Sequence, residues 1–402
     1  MNTTRRTLLL AGAGAIAAPR LAPAQDTPGV TANEIRIGTT NALSGPASSY
    51  SVISRCHEAL FRRLNEGGGV AGRQVRFIVY DDGYSPPRTL EQTRRLVEQD
   101  RVAFVFNGLG TPTQSAVHRY MNQRRVPQLF LATGADKWAN PQEYPWTIGW
   151  QPSYRTEAQI YTKYINEQRA NARIGILYQN DDFGRDYVNG VRDVLGSAFD
   201  ARTRLVSHEA TDPTIDSQII QLQSAGVDAL VCGIIPRFAA QAIRRVHDIG
   251  WRPMMFMSNV SVSVGTVMQP AGPERGVGLI TSDYRKDHSD SAWANDPGMN
   301  EWREFMRRYI PDGEISDNNY TYGYGVGLTM IHVLRQCNGN FSRDNIMRQA
   351  TSIAPMDIPT LLPGVRVGTS PQNYHPIRHM QLQRWDGRSW VRFGNVIEGA
   401  NV

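Results

Sequence analysis

Residues 102–136 read VAFVFNGLGTPTQSAVHRYMNQRRVPQLFLATGAD. An apolar run, 102–106, breaks at Asn107-Gly108. A helical pattern then carries Val117, Tyr120 and Met121, and a second apolar run spans 127–133. This strand–helix–strand order predicts a parallel sheet with helices on both faces, an α/β fold. Working outward, EIRIGT (34–39) alternates as a strand does. The stretch from Tyr50 to Asn65 then sets Ile53, Cys56, Leu60 and Leu64 on one helical face before Gly67-Gly68-Gly69. VRFIVYDD (75–82) is a further strand, followed by a helix carrying Leu90, Leu96 and Val97.

After Trp150 the pattern restarts. ARIGILYQND (172–181), RLVSHEA (204–210), DALVCGII (228–235) and PMMFMSN (253–259) read as strands. The helices between them carry Val188, Val191 and Leu195, then Ile215, Ile219 and Leu222, then Phe238, Ala242 and Val246. Two consecutive α/β units of similar size follow from this. The tail differs: two helices, about 300–309 and 321–336, precede HMQLQRW (379–385) and SWVRFGNV (389–396). These last two make a hairpin across Asp386-Gly387, suited to the edge of an existing sheet.

The N-terminus is of another kind. Arg5-Arg6, an apolar stretch over 7–18 and Ala22-Pro23-Ala24 are the parts of a secretory signal peptide, here residues 1–24, cleaved after Ala24 into the periplasm. The paired arginines also resemble a twin-arginine signal. The apolar stretch is well short of the ~20 residues a spanning helix needs. Cleavage removes Arg5, Arg6 and Arg20, taking the formal charge from +6 to about +3, too mild and too scattered for a nucleic-acid partner. Of three cysteines, Cys232 in DALVCGI reads as a buried thiol, and none has metal-ligand spacing.

In an open parallel sheet, ligands sit beyond the carboxyl ends of the strands, where the strand order reverses. Two loops there stand out: Asn107–Thr113, which opens a helix, and Thr133–Asp136. Glycine lets backbone approach a ligand, and free N–H groups at a helix start hold an anion. Each loop also reads as an ordinary glycine-rich turn with a threonine cap. NGLG lacks the third glycine of a dinucleotide fingerprint, and no phosphate loop, G-x-S-x-G elbow or metal set occurs. His375 and His379 are four apart, but Pro376 and the following strand pattern argue against a helical metal pair. No enzyme, cofactor or metal is expected.

EIRIGTTNALSGP, NEGGGVAGRQVRFIVYDDGYSP, LGTPTQSA, VPQLFLATGA and ILYQNDDFGRDYVNG together resemble the leucine/isoleucine/valine-type periplasmic binding proteins over nearly the whole chain. The resemblance implies two Rossmann-like lobes joined by three hinge crossovers, closing on a small solute and docking as a monomer on an ABC permease. It places lobe 1 at 32–150 and 281–360, lobe 2 at 151–280 and 361–402, and hinges near 149–153, 279–284 and 357–365. Carried over by position, Tyr50 walls the pocket. Leu109, Gly110 and Thr111 form a first carboxylate-binding loop, and Ala132, Thr133 and Gly134 a second. Phe183, Ile235 and Val260 face them from lobe 2, with one of Tyr320, Tyr322 and Tyr324 adding an aromatic.

Two departures matter. The loop Ser258–Ser263 has no carboxylate where the amino-acid binders usually place one for the ligand ammonium, and Gly83-Tyr84 stands where they have a small disulfide. A buried ammonium without a counter-charge costs on the order of several kcal/mol. FLATGADKW and PWTIGWQP look most like the branch that binds aromatic acids. The expected ligand is therefore a carboxylate with an apolar or aromatic body, such as a benzoate, cinnamate or phenylacetate. A branched-chain amino acid or amide on the same fold, a sensory role, and an exported enzyme remain as alternatives.

Overall fold

The computed structural model describes residues 27–398, so the signal-peptide segment lies outside the described residues. The first sheet contains β1 (Glu34–Asn41), β2 (Gln74–Asp81), β3 (Phe104–Phe106), β4 (Gln128–Leu131) and β5 (Thr147–Gly149). They are all parallel, in the order β2-β1-β3-β4-β5. The second sheet runs β12-β11-β10-β9-β8-β6-β7. It is built from β6 (Ile174–Gln179), β7 (Thr203–His208), β8 (Ala229–Gly233), β9 (Met254–Met257), β10 (Ile280–Asp283), β11 (His379–Trp385) and β12 (Trp390–Glu398). The C-terminal hairpin β11–β12 joins antiparallel to the β10 edge, as its composition predicts.

Each sheet reverses direction once, between β1 and β3 in the first and between β6 and β8 in the second. Helices α1 (Ser51–Glu66), α2 (Pro86–Arg94), α3 (Thr111–Gln123), α4 (Tyr154–Gln168) and α5 (Asp182–Leu195) form in chain order. Helix α1 buries Ile53, Cys56, Leu60 and Leu64, the face its spacing predicts, against helix Asn319–Gln336. Gly323 in that helix lies against Cys56, where an added Cβ would come within 2.9 Å of the cysteine Cβ. The three cysteines are all buried and unpaired.

Helix α4 has no counterpart in the sequence reading. Its buried face carries the stripe Tyr154, Ala158, Tyr161 and Ile165, diluted by the buried polar groups of Glu157, Gln159 and Thr162 beside it, and Ser153 caps it through Thr156 N–H. The crossings also fall later than the spacing implies. Ile280–Asp283 pairs with β9 and β11, so the boundary at 281 cuts a strand of the second sheet, and the chain crosses at 284–286. There Lys286 N–H donates to Thr360 O (2.8 Å) and Leu362 N–H to Tyr284 O (2.9 Å). Residues 367–374 stay on the first lobe: Thr369 Oγ1 donates to Ala350 O (2.9 Å) and Tyr374 Oη to Pro145 O (3.4 Å). The last crossing therefore comes just before β11, not at 361.

Candidate functional site

The strand ends that flank the two reversal points face each other, and between them lies a cavity with about 500 Å³ of atom-free space. That space is enough for a small ring or a branched chain. Tyr50, Leu109, Gly110, Thr111 and Ala132 line it from the first lobe, and Phe183, Ile235 and Val260 from the second. Tyr322 completes the expected set. Its Oη accepts from Asn107 Nδ2 at 2.9 Å.

The other positions named from sequence lie behind the wall or away from it. Thr133 Oγ1 accepts from Ala135 N–H and Trp138 Nε1–H (3.3 Å each) and shares a 2.6 Å hydrogen bond with Thr111 Oγ1. A hydroxyl has one proton, so Thr133 is best satisfied by donating it to Thr111, which leaves the Thr111 proton free. Gly134 accepts from Tyr154 N–H (2.8 Å), and a Cβ there would come within 2.3 Å of Pro152 O. Positions two apart on a helix point to opposite sides. Tyr324 accordingly turns to Glu301 (2.7 Å) and the Phe305 ring, and the Tyr320 side chain lies outside the cavity lining.

Gly110 has to be glycine. Its φ is +94°, and a Cβ would meet the Tyr84 ring at 2.5 Å. Tyr84 itself lines the cavity, as do Ile53, Gln151, Tyr154, Tyr284, Arg285 and Asn319, none of which the sequence singled out. Tyr284 and Arg285 sit on the second crossing, and Gln151 and Tyr154 flank the first. The spacing of the crossings was the available signal for them.

Polar chemistry in the cavity is one-sided. Tyr84 Oη accepts from Gln179 Nε2 (3.4 Å) and Tyr154 Oη from Gln151 Nε2 (3.0 Å), so both phenols, like Tyr322, keep a proton to give. Burial pushes the Tyr84, Tyr154 and Tyr284 phenols well above their usual range, so they remain donors. Burial also works against the charge of Arg285, but the adjacent Asp283 carboxylate outweighs it and holds the guanidinium protonated. No Asp or Glu lines the cavity.

Beneath this face lies Glu157, fully buried on α4. It accepts from Asn259 N–H (2.9 Å) and Nδ2–H (2.8 Å), from Ser282 Oγ (3.2 Å), and from the Tyr161 and Tyr187 hydroxyls. Burial raises its pKa to about 7, against those hydrogen bonds.

The lobes touch on both flanks of the cavity. Lys137 Nζ reaches Asp182 (2.9 Å), and Asp136 N–H donates to Asp186 Oδ2 (2.8 Å). On the other flank Ser263 Oγ donates to Asp317 Oδ1 (3.0 Å) and Gly265 N–H to Ser316 O (3.1 Å). Inside, Tyr50 Oη donates to Val260 O (2.9 Å). This is a closed arrangement, with the cleft contacts made.

A family profile described as "periplasmic binding protein" matches residues 34–389. The chain is 22% identical over 312 residues to Leu/Ile/Val-binding protein homolog 7 of Brucella abortus, an alignment covering 74% of this chain and 76% of that one. Among solved structures it is similar to a branched chain amino acid ABC transporter protein from Thermus thermophilus with bound valine. That match has a TM-score of 0.80 at 15% identity, covering 92% of this chain and 97% of the other. It is also similar to a fatty acid ABC transporter substrate-binding protein from Thermomonospora curvata. There the TM-score is 0.76 at 19% identity, with 93% and 95% covered.

Proposed function

Because the chain belongs to the periplasmic binding protein family, we propose that it is the extracytoplasmic solute receptor of an ABC-type importer and that it binds a small carboxylate with an apolar or aromatic body. One observation carries the ligand class: the cavity offers five tyrosines, one arginine, a threonine hydroxyl and the side-chain amides of Gln151 and Asn319, and no acid. Such a lining matches a ligand that accepts hydrogen bonds and leaves an ammonium without a partner. Ile53, Leu109, Ile235, Val260 and Phe183 supply apolar walls for the rest of the molecule. Relatives named for branched-chain amino acids and one named for fatty acids share this fold, so it accommodates both chemistries.

Function follows from closure. A ligand that touches residues of both lobes binds the closed form better and shifts the population toward it. The closed receptor, a monomer exported by its signal segment, then docks on the permease. The hydrogen bonds at Lys137–Asp182 and Ser263–Asp317 form only when the lobes meet, and so belong to the closed state alone. A thermal-shift panel of benzoate, cinnamate and phenylacetate against leucine, valine and benzamide tests the reading. Stabilisation by one or more of the acids is expected, and stabilisation by leucine or valine alone refutes it.

A further inference from the structure

We infer that Arg285, from the second crossing, is the group that grips the ligand's carboxylate, and that it sets the preference for an acid over its amide; this rests on the receptor reading above. The first-lobe loops offer only neutral donors, and several of these are already spent within the protein. Leu109 N–H donates to Thr40 O (3.2 Å), Gly110 N–H to Ala132 O (3.2 Å) and Ala132 N–H to Gly108 O (3.0 Å). What they keep is the Thr111 hydroxyl, the unpaired amides that open α3 and the Thr133 N–H, none of which carries charge.

Arg285 is in the opposite condition. It is 5% exposed and lines the cavity. Its Nε and Nη2 donate to the two oxygens of Asp283 at 2.9 and 2.8 Å, and Nη2 also donates to Asn259 O at 3.0 Å. Nη1 has no acceptor among the described residues. Both partners are themselves fixed. Asp283 accepts from the backbone N–H groups of Tyr284 (2.7 Å) and Arg285 (2.9 Å), and Asn259 is tied through its N–H and Nδ2–H to Glu157. The guanidinium plane is thus set before a ligand arrives, with one edge bound and one free.

The number of donors decides between acid and amide. Nη1, the Thr111 hydroxyl and the phenols of Tyr84, Tyr154, Tyr284 and Tyr322 offer protons to the same small space. Asp283, the carboxylate paired with Arg285, has both oxygens occupied. A carboxylate can absorb four such bonds and brings no donor of its own. A primary amide absorbs two and brings two N–H groups, for which the lining offers the side-chain amide oxygens of Gln151 and Asn319 but no carboxylate. Arg285 also sits in the backbone that pairs 284–286 with 360–362, so a carboxylate held there touches the segment about which the lobes turn.

Calorimetry with two probe pairs, benzoate against benzamide and phenylacetate against phenylacetamide, tests this on the wild type, Arg285→Lys and the double variant Asp283→Asn/Arg285→Met. The double change removes both charges, so no carboxylate is stranded. The wild type is expected to favour at least one acid over its amide by tenfold or more. The double variant should lose at least thirtyfold for that acid and under threefold for the amide, and Arg285→Lys should recover part of the acid binding. Acid preference that survives in the double variant, with its melt intact, overturns the role of Arg285. Equal losses for acid and amide also overturn it, pointing to a merely structural part. A wild type that binds no acid at all defeats the organic-acid reading first, and is told apart because the failure precedes any substitution.

Discussion

Replacing Glu157 with glutamine isolates the electrostatics of the buried node under the cavity. The carboxyl is raised from its reference value of 4.5 to about 7 by burial. A folded-state pKa above the unfolded one means that the protonated form is preferred in the fold. The stabilisation from that preference is fully present below about pH 4.5 and is lost as pH rises through 7. The shift of about 2.5 units corresponds to about 3 kcal/mol. Glutamine cannot titrate. It also presents an NH2 group to a site full of donors, a cost that does not change with pH. Urea denaturation followed by tryptophan fluorescence, in half-unit steps from pH 4.5 to 8, gives the stability of both proteins. The advantage of wild type over Glu157→Gln should shrink by about 3 kcal/mol across that range, because every other titrating group cancels in the difference. A difference that stays constant, or grows with pH, refutes the placement of a proton on Glu157.

Three further changes test the geometry around the cavity. Gly110→Ala forces a side chain into φ +94° and onto the Tyr84 ring; a loss of about 2–3 kcal/mol is expected, and an unchanged melting temperature would contradict it. Thr133→Val strips the acceptor from Trp138 Nε1–H and Ala135 N–H and the partner from Thr111. A cost of about 2 kcal/mol should appear in denaturant titration, against none if water replaces the hydroxyl. Lys137→Met removes an interlobe pair whose side chains are 35% and 43% exposed, so solvent screening leaves it worth under about 1 kcal/mol. Ligand affinity should fall two- to fivefold with a more open solution scattering profile; unchanged affinity and scattering would show that the pair does not contribute to closure.

Much of the binding cleft is legible in the chain because local rules place it. A glycine turn after an apolar strand marks Leu109–Thr111, whereas Phe183 and Ile235, at the starts of the helices after β6 and β8, come from the family resemblance. What escaped is non-local or disguised. Helix α4 dilutes its stripe of Tyr154, Ala158, Tyr161 and Ile165 with the buried polar groups of Glu157, Gln159 and Thr162. A single arginine in SDYRKD reads as surface, since charged side chains are rarely buried unless paired. The pairing of Arg285 with Asp283 becomes visible only when β10 is placed in the second sheet. The expected boundary at 281 failed for the same reason, because nothing in ITSD distinguishes a sheet strand from a hinge. Among the three tyrosines at 320, 322 and 324, helical rotation allows one to face the cleft, but its phase is fixed by packing against α1. Ser258–Ser263 carries no acid and no Asp or Glu lines the cavity, while the carboxylate that lies behind that loop comes from Glu157, a hundred residues upstream.

The central claim concerns which charge the cavity accepts, and one titration bears on it most directly. Phenylacetate and phenylglycine share a ring and a carboxylate and differ only by an ammonium. Isothermal calorimetry of both against the wild-type protein at neutral pH should show phenylacetate binding at least a hundredfold more tightly, a difference of about 3 kcal/mol for an ammonium with no acid to meet it. Phenylglycine binding as tightly as phenylacetate, or more tightly, would contradict the account.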